Sequence, residues 1–205
     1  MLKIGVTGGI GSGKSTLCNH FVQSGVALYN SDRRAKELMT SDKQVIKELK
    51  ALFGDEAYTS SGELNKAYIT QQIFFSEEKL EVINSIVHPA VKRDFLAWAD
   101  MQSELTDQPY VILESALIFD SEIEDVVDKT VAVLAPMELR VMRVVNRDGI
   151  TQDEAEARIL VQLTDDEFHE RADYSVVNII EEDLAGAAQR LDQIFKKLAS
   201  DGVGA

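Results

Sequence analysis

The stretch Gly8-Gly9-Ile10-Gly11-Ser12-Gly13-Lys14-Ser15-Thr16 constrains this chain more than any other. Four of the six residues from Gly8 to Gly13 are glycine, the residue that lets a backbone turn sharply and approach a neighbour closely. The run Leu2-Lys3-Ile4-Gly5-Val6-Thr7 before it reads as a short buried strand. Leu17, Phe21 and Val22 after it fall at helical spacing. A glycine loop between a strand and a helix is the setting in which G-x-x-x-x-G-K-[ST] binds phosphate, and Gly8 to Ser15 match that pattern. The residues Gly9, Ile10, Gly11, Ser12, Gly13, Lys14, Ser15 and Thr16 are therefore expected to wrap the phosphates of a nucleoside triphosphate. The positive end of the helix starting near Lys14 adds to that attraction. Lys14 is expected to reach the β- and γ-phosphates, and the Ser15 hydroxyl to sit on Mg²⁺.

The rest of the chain supplies strands separated by helices. Val26–Tyr29, running into Asn30-Ser31-Asp32, reads as a second strand, Tyr110–Glu114 as a third, Lys129–Leu134 as a fourth and Tyr174–Asn178 as a fifth. From Arg33 to about Leu105 apolar residues recur three and four apart, and His88-Pro89 is expected to break this series, with Pro89 in the first turn of the last helix. Pro136 is expected to open a helix, Thr151-Gln152-Asp153-Glu154 to cap another, and Asp183–Ala199 to close the chain. Alternating strands and helices predict a doubly wound parallel α/β sheet, whose ligands lie beyond the carboxyl ends of the strands. The long helical stretch is too large for a plain crossover and reads as an insert covering a second substrate.

Charge and cysteine usage narrow the class. The 205 residues carry a formal net charge of −14, which argues against nucleic acid or an anionic membrane surface as a partner. Cys18 is the single cysteine, so no internal disulfide forms. No apolar run reaches the ~18 residues of a membrane span, and Met1 leads straight into strand sequence without a leader pattern. A cytoplasmic protein, monomer or small homo-oligomer, is the expectation.

Two classes compete for the loop: a small-molecule kinase and a nucleotide switch. A guanine-reading N-K-x-D segment is missing, since Asn65-Lys66-Ala67-Tyr68 lacks the aspartate and Asn146-Arg147-Asp148 has arginine for lysine. The kinase reading gains from Arg140, Arg143 and Arg147, which share one helix face after the fourth strand, with Arg158 following. Arginines on a closing lid neutralise a phosphoryl group in transfer, whereas the plain alternative is a solvated face paired to Glu138 or Asp148. Asp32 is either the carboxylate that accepts or orients the proton of an attacking hydroxyl, placed beside the loop at the end of the second strand, or a helix N-cap. Glu114 either holds magnesium or its waters, or caps a helix or joins an ion pair. Cys18 and Trp98 read as core.

At this point the chain resembles the dephospho-CoA kinase family. Thr7–Thr16 is close to its TGGIGSGKS string, and Asn30-Ser31-Asp32 stands where that family has D-A-D. Ile86-Val87-His88-Pro89 matches its hydrophobic-HP signature, Glu114–Phe119 resembles its P-L-L-F-E segment, and Ala172-Asp173-Tyr174 with Asn178 fits its A-D-x-x-I-x-N. Asn30, Ser115-Ala116 and Asp120 depart from the pattern. The resemblance, which covers about Lys3 to Leu198, implies the P-loop nucleoside triphosphate hydrolase fold of nucleotide kinases. That is a five-stranded parallel sheet flanked by helices, in one domain over 3–202, with a helical acceptor-binding insert at about 33–105 and a helical lid at about 138–168. It implies that ATP-Mg²⁺ phosphorylates the ribose 3′-hydroxyl of dephospho-CoA, giving coenzyme A and ADP. It further implies catalytic roles for Lys14, Asp32, Arg143 and Arg147, and acceptor contacts at Asp32, His88 and Glu114. The basic residues Arg33, Arg34, Lys92 and Arg93 of the insert are candidates to meet acceptor phosphates, and Gln162 fits the lid pattern.

Overall fold

Leu2, Ile4 and Val6 of β1 (Leu2–Thr7) are all but fully buried, as expected of a central parallel strand covered on both faces. The computed structural model describes residues 1–202 except 75, 122, 181 and 182. The chain divides into two compact units, one made of Met1–Asn30 and the chain from Trp98 onward, the other of Ser31–Ala97.

The first unit carries a five-stranded sheet in the order β2-β3-β1-β4-β5, with β2 Leu28–Asn30, β3 Tyr110–Glu114, β4 Lys129–Leu134 and β5 Tyr174–Val177. All four pairings are parallel. The helices α1 (Lys14–Gln23) and α9 (Asp183–Ser200) bury Leu17, Cys18, Phe21, Leu184, Ala188, Leu191 and Phe195 with the strand residues Ile4, Val6, Ile112, Val131 and Val133. The spacing of three, four and seven along α9 is what makes one face of it apolar. Phe21, Tyr110 and Phe195 meet ring to ring at 5.4 to 6.3 Å in this layer. Trp98 packs on Tyr29 with ring centroids 5.3 Å apart.

The chain leaving β1 runs to β2 on one side of it, and the chain leaving β4 runs to β5 on the other. The crevice between the carboxyl ends of β1 and β4 is thus where such a sheet takes its ligand. After β4 come α6 (Met137–Asp148), α7 (Gln152–Leu160) and α8 (Asp165–Arg171). Val141 and Val144 of α6 pack with Ala155 and Ile159 of α7. Reciprocal capping boxes, Thr151 with Glu154 and Thr164 with Glu167, start α7 and α8.

The second unit holds α2 (Ser31–Ser41), α3 (Lys43–Phe53), a 3₁₀ turn at Asp55–Ala57, α4 (Lys66–Phe74) and α5 (Glu77–Leu105) up to Ala97. Asp42 caps α3, accepting from the backbone of Gln44 and Val45 at 2.8 and 3.1 Å. Arg34 of α2 forms a two-pronged pair with Asp94 of α5, at 2.9 and 2.6 Å, so these two helices are tied.

Three expectations are corrected. Asp32 does not close β2: the strand ends at Asn30 and α2 begins at Ser31, which puts Asp32 inside the first helical turn and removes its reading as an N-cap. Nor does β2 lie beside the glycine loop's strand, because β3 sits between β1 and β2. His88-Pro89 does not break the helix, since α5 runs through with Pro89 inside. Proline in a helix interior costs roughly 3 kcal/mol, and the burial of Val87, Ala90, Val91 and Phe95 around it offsets that loss.

Candidate active site

The loop after β1 takes its shape from residues far along the chain. Gly13, the residue before α1, has φ of +104°, and a Cβ there would run into the Asn178 side chain. A Cβ on Gly9 would strike the Arg140 guanidinium. Gly13 is thus demanded by its positive φ as well as by close approach, and a side chain at Gly9 would have to displace the Arg140 guanidinium. Lys14 Nζ donates to Gly8 O at 2.7 Å and Gly9 O at 3.0 Å, so the ammonium lies over the loop's own carbonyls. Gly11, Gly13, Lys14, Ser15 and Thr16 line a cavity of about 520 Å³ with Arg143, Asn146 and Arg147 of α6. That volume falls in the range of small-molecule sites.

The three arginines of α6 do different work. Arg140 is 4% exposed. Its Nε donates to Ile10 O at 3.0 Å, and its two Nη atoms donate to Asp165 Oδ1 at 3.2 Å and Gln162 Oε1 at 3.3 Å. Gln162 Oε1 also accepts from Ile10 N at 2.7 Å. Desolvation loosens the proton of Arg140, partly countered by Asp165. Desolvation likewise raises Asp165 against the pull of Arg140 and of the Ala135 N–H. Arg143 donates through Nη1 to Gly11 O at 3.3 Å and through Nη2 to Asn178 O and Oδ1 at 3.3 and 3.4 Å. Arg147 is exposed and folds back on its neighbour Asp148, at 2.7 and 3.0 Å, which Arg158 also approaches at 3.4 Å.

Glu114 ends β3 only 6% exposed. Ser15 Oγ donates to its Oε1 at 2.5 Å and Asn30 Nδ2 to its Oε2 at 2.9 Å. Register explains the meeting, because Glu114 stands opposite both Val6 of β1 and Asn30 of β2. A hydroxyl and a carboxylate are hard oxygen donors of the kind magnesium takes. Among the described residues no group of three or more acidic, His or Cys side chains could hold a metal alone. Such a pair fits a magnesium ion whose other ligands are phosphate oxygens and water.

The remaining candidates lie in the second unit. Asp32 is exposed on the first turn of α2, and His88 is half-buried in mid-α5. Arg93 of α5 is exposed and stands 3.5 Å from Asp42. Arg33 pairs with Glu37 at 3.5 Å, and Arg34 is committed to Asp94 and Glu37. In the first unit the structure thus brings together the loop, Glu114, Arg143 and Arg147. Sequence reasoning took Asn146, three residues after Arg143, only as part of a failed guanine-reading segment, and did not single out Asp165, which the structure places on Arg140. Among the described residues no helix is long and apolar enough to cross a membrane.

Comparison with known proteins supplies the family. Residues 2–182 match the family model described as dephospho-CoA kinase. The chain is 40% identical over 177 residues to a dephospho-CoA kinase of Bacteroides fragilis, covering 86% of this chain and 84% of that one. A solved structure from Thermus thermophilus superposes with a TM-score of 0.79 at 29% identity, covering 94% of this chain and 96% of that one. The dephospho-CoA kinase of Campylobacter jejuni, at 19% identity, shares the fold with a TM-score of 0.61 over 94% and 96% of the two chains. With a match that spans most of its length and relatives this similar, the chain belongs to the dephospho-CoA kinase family.

Proposed function

We propose that the protein transfers the γ-phosphoryl group of ATP to the ribose 3′-hydroxyl of dephospho-CoA, giving coenzyme A and ADP. The observation that carries this reading is the cavity in which Lys14, Ser15, Arg143 and Arg147 meet around the loop. Phosphoryl transfer asks little covalent chemistry of a protein and much positioning and charge neutralisation, which is what these side chains supply. Lys14 leaves the carbonyls of Gly8 and Gly9 to meet the phosphates. Ser15 and Glu114 would hold Mg²⁺, which when bound spreads the charge of the phosphates. Arg147 can leave Asp148 at little cost, because water screens an exposed ion pair, and turn to the transferring group. Asp32 accepts or orients the proton of the acceptor hydroxyl. We read the segment 33–105 as the acceptor-binding insert, with His88 and Arg93 toward dephospho-CoA, and 138–168 as the lid, all within one catalytic domain over 3–202. The single cysteine supports a cytoplasmic enzyme.

The test is ADP release from ATP-Mg²⁺ with dephospho-CoA, adenosine, cytidine, AMP, CMP and UMP offered singly. Turnover with dephospho-CoA alone is expected. Turnover with a nucleoside or monophosphate in its place would overturn the acceptor, and slow hydrolysis indifferent to any acceptor would overturn the kinase reading.

A further inference from the structure

Asn178 follows β5, and its side chain is fully buried. Its backbone N–H donates to Leu134 O at 2.7 Å, which fixes it against the end of β4. Its Nδ2 donates to Ser12 O at 2.7 Å, inside the glycine loop. Its backbone oxygen and its Oδ1 accept from Arg143 Nη2 at 3.3 and 3.4 Å. The orientation of the amide follows from this arrangement. Turned over, it would set oxygen against Ser12 O and an NH₂ group against a guanidinium, two repulsions in place of two bonds.

The neighbouring loop carbonyls are drawn off in the same way, Ile10 O by Arg140 Nε at 3.0 Å and Gly11 O by Arg143 Nη1 at 3.3 Å. Three successive carbonyls are thus held by side chains from α6 and the end of β5. A trans peptide is planar, with its C=O and the following N–H pointing in opposite directions. Drawing Ser12 O toward Asn178 therefore sends Gly13 N–H the other way, and Gly13 is a wall of the cavity. A buried carbonyl left without a donor is costly, so the loop has little reason to leave this shape while Asn178 is present.

We propose that Asn178 is a positioning residue for phosphate binding, which aims the Gly13 N–H at the phosphates by holding Ser12 O away from them and, with the same amide, seats Arg143 at the cavity wall. It touches no phosphate itself. The inference rests on the reading of the loop as the triphosphate site. Its signature is a loss confined to the nucleotide, because the acceptor is read as binding in the insert.

The test is calorimetric titration of ADP with Mg²⁺, and separately of dephospho-CoA, into the whole protein, Asn178→Asp and Asn178→Ala. Asn178→Asp keeps the shape but turns an oxygen toward Ser12 O, and Asn178→Ala removes both bonds. Titrations run well below each melting temperature, with folding checked by circular dichroism. An ADP dissociation constant raised about tenfold or more in either folded variant, with dephospho-CoA binding unchanged, is the expected result. A variant that is less stable but binds ADP as the parent does would make Asn178 merely structural and overturn the inference. Equal weakening of ADP and dephospho-CoA would overturn it too. Failure of the parent itself to bind ADP would overturn the triphosphate reading, and the inference with it.

Discussion

Ser15 Oγ donates to Glu114 Oε1 at 2.5 Å, joining the first turn of α1 to the end of β3 across 99 positions of chain. The other carboxylate oxygen is held by Asn30 Nδ2 at 2.9 Å. Two donors thus orient this buried carboxyl group beside the loop, where its oxygens and the Ser15 hydroxyl could meet a cation. Glu114→Gln keeps the volume and replaces a carboxyl oxygen by an amide. The expected outcome is a Mg²⁺ requirement raised about tenfold or more, the usual scale for losing a group that supports a metal. Rates measured against Mg²⁺ at fixed ATP check this, and an unchanged half-saturation would leave Glu114 a structural partner of Ser15.

Asp32 stands exposed in the first turn of α2, where a negative charge gains roughly 0.3–1 kcal/mol from the helix dipole. Its removal should therefore barely move stability. Asp32→Asn is expected to lower kcat by about 10²-fold or more, the scale of a lost general base, with KM for ATP little changed. Steady-state kinetics beside a thermal melt decide it. A variant that loses melting temperature and keeps kcat would reduce Asp32 to a helix-end charge.

The two sides of the site differ in how far the sequence displays them. Lys14, Ser15 and Glu114 were legible because each sits at a fixed place in a strand–loop–helix or strand end, where local spacing determines position. The helical spacing of Arg140, Arg143 and Arg147, three and four apart, showed a shared face but not their division of labour. That division depends on how deep each lies against the loop, which burial of Arg140 settles and spacing does not. The bonds from Gln162 and Asn178 to the loop link residues more than 150 positions apart, and no local pattern carries them. Asp32 was misplaced by two residues because Ser31 starts a helix where an extended run had been read, and β2 was misplaced in the sheet because strand order is set by crossovers rather than by sequence order. Pro89 misled for a related reason: a local helix breaker lost to the burial of the residues around it.

Arg147 and Arg143 should separate kinetically. Arg147 is exposed and pairs with its neighbour Asp148, so Arg147→Ala should leave the melt nearly unchanged. A lid arginine acts on charge that develops in transfer, so its loss should lower kcat by about 10²-fold while ATP affinity changes much less. Arg143 holds Gly11 O and lines the cavity, so Arg143→Ala should weaken ATP binding as well as kcat. Full kinetic constants for both variants test the distinction. Equal effects of the two on ATP affinity would contradict it.

At the amino end of β4 the Asp173 carboxylate accepts from Lys129 Nζ at 2.7 Å, Thr130 N at 2.8 Å and Thr130 Oγ1 at 3.0 Å. Burial alone would raise its pKa, but the Lys129 and Thr130 bonds outweigh burial and hold it below the ordinary carboxylate value. A carboxyl depressed in the folded state stabilises the fold above its unfolded pKa of about 3.9, and that contribution is lost as pH falls through the lower folded value. Lys129 is raised by its hydrogen bond to Asp173, so its contribution holds below about 10.5 and fades only above that. Asp173→Asn should thus be less stable by about 1 kcal/mol at neutral pH, the pair being partly exposed. Denaturant midpoints taken from pH 7 down to pH 3 should show the two proteins converging below about pH 4. Lys129 and Thr130 open β4, at the opposite end of that strand from its carboxyl-end crevice, and pair with Ile4 and Gly5 in the middle of β1, so kcat at temperatures where both proteins are folded should be the same. A stability gap that persists to the acid end would show that Asp173 acts by shape and not by charge.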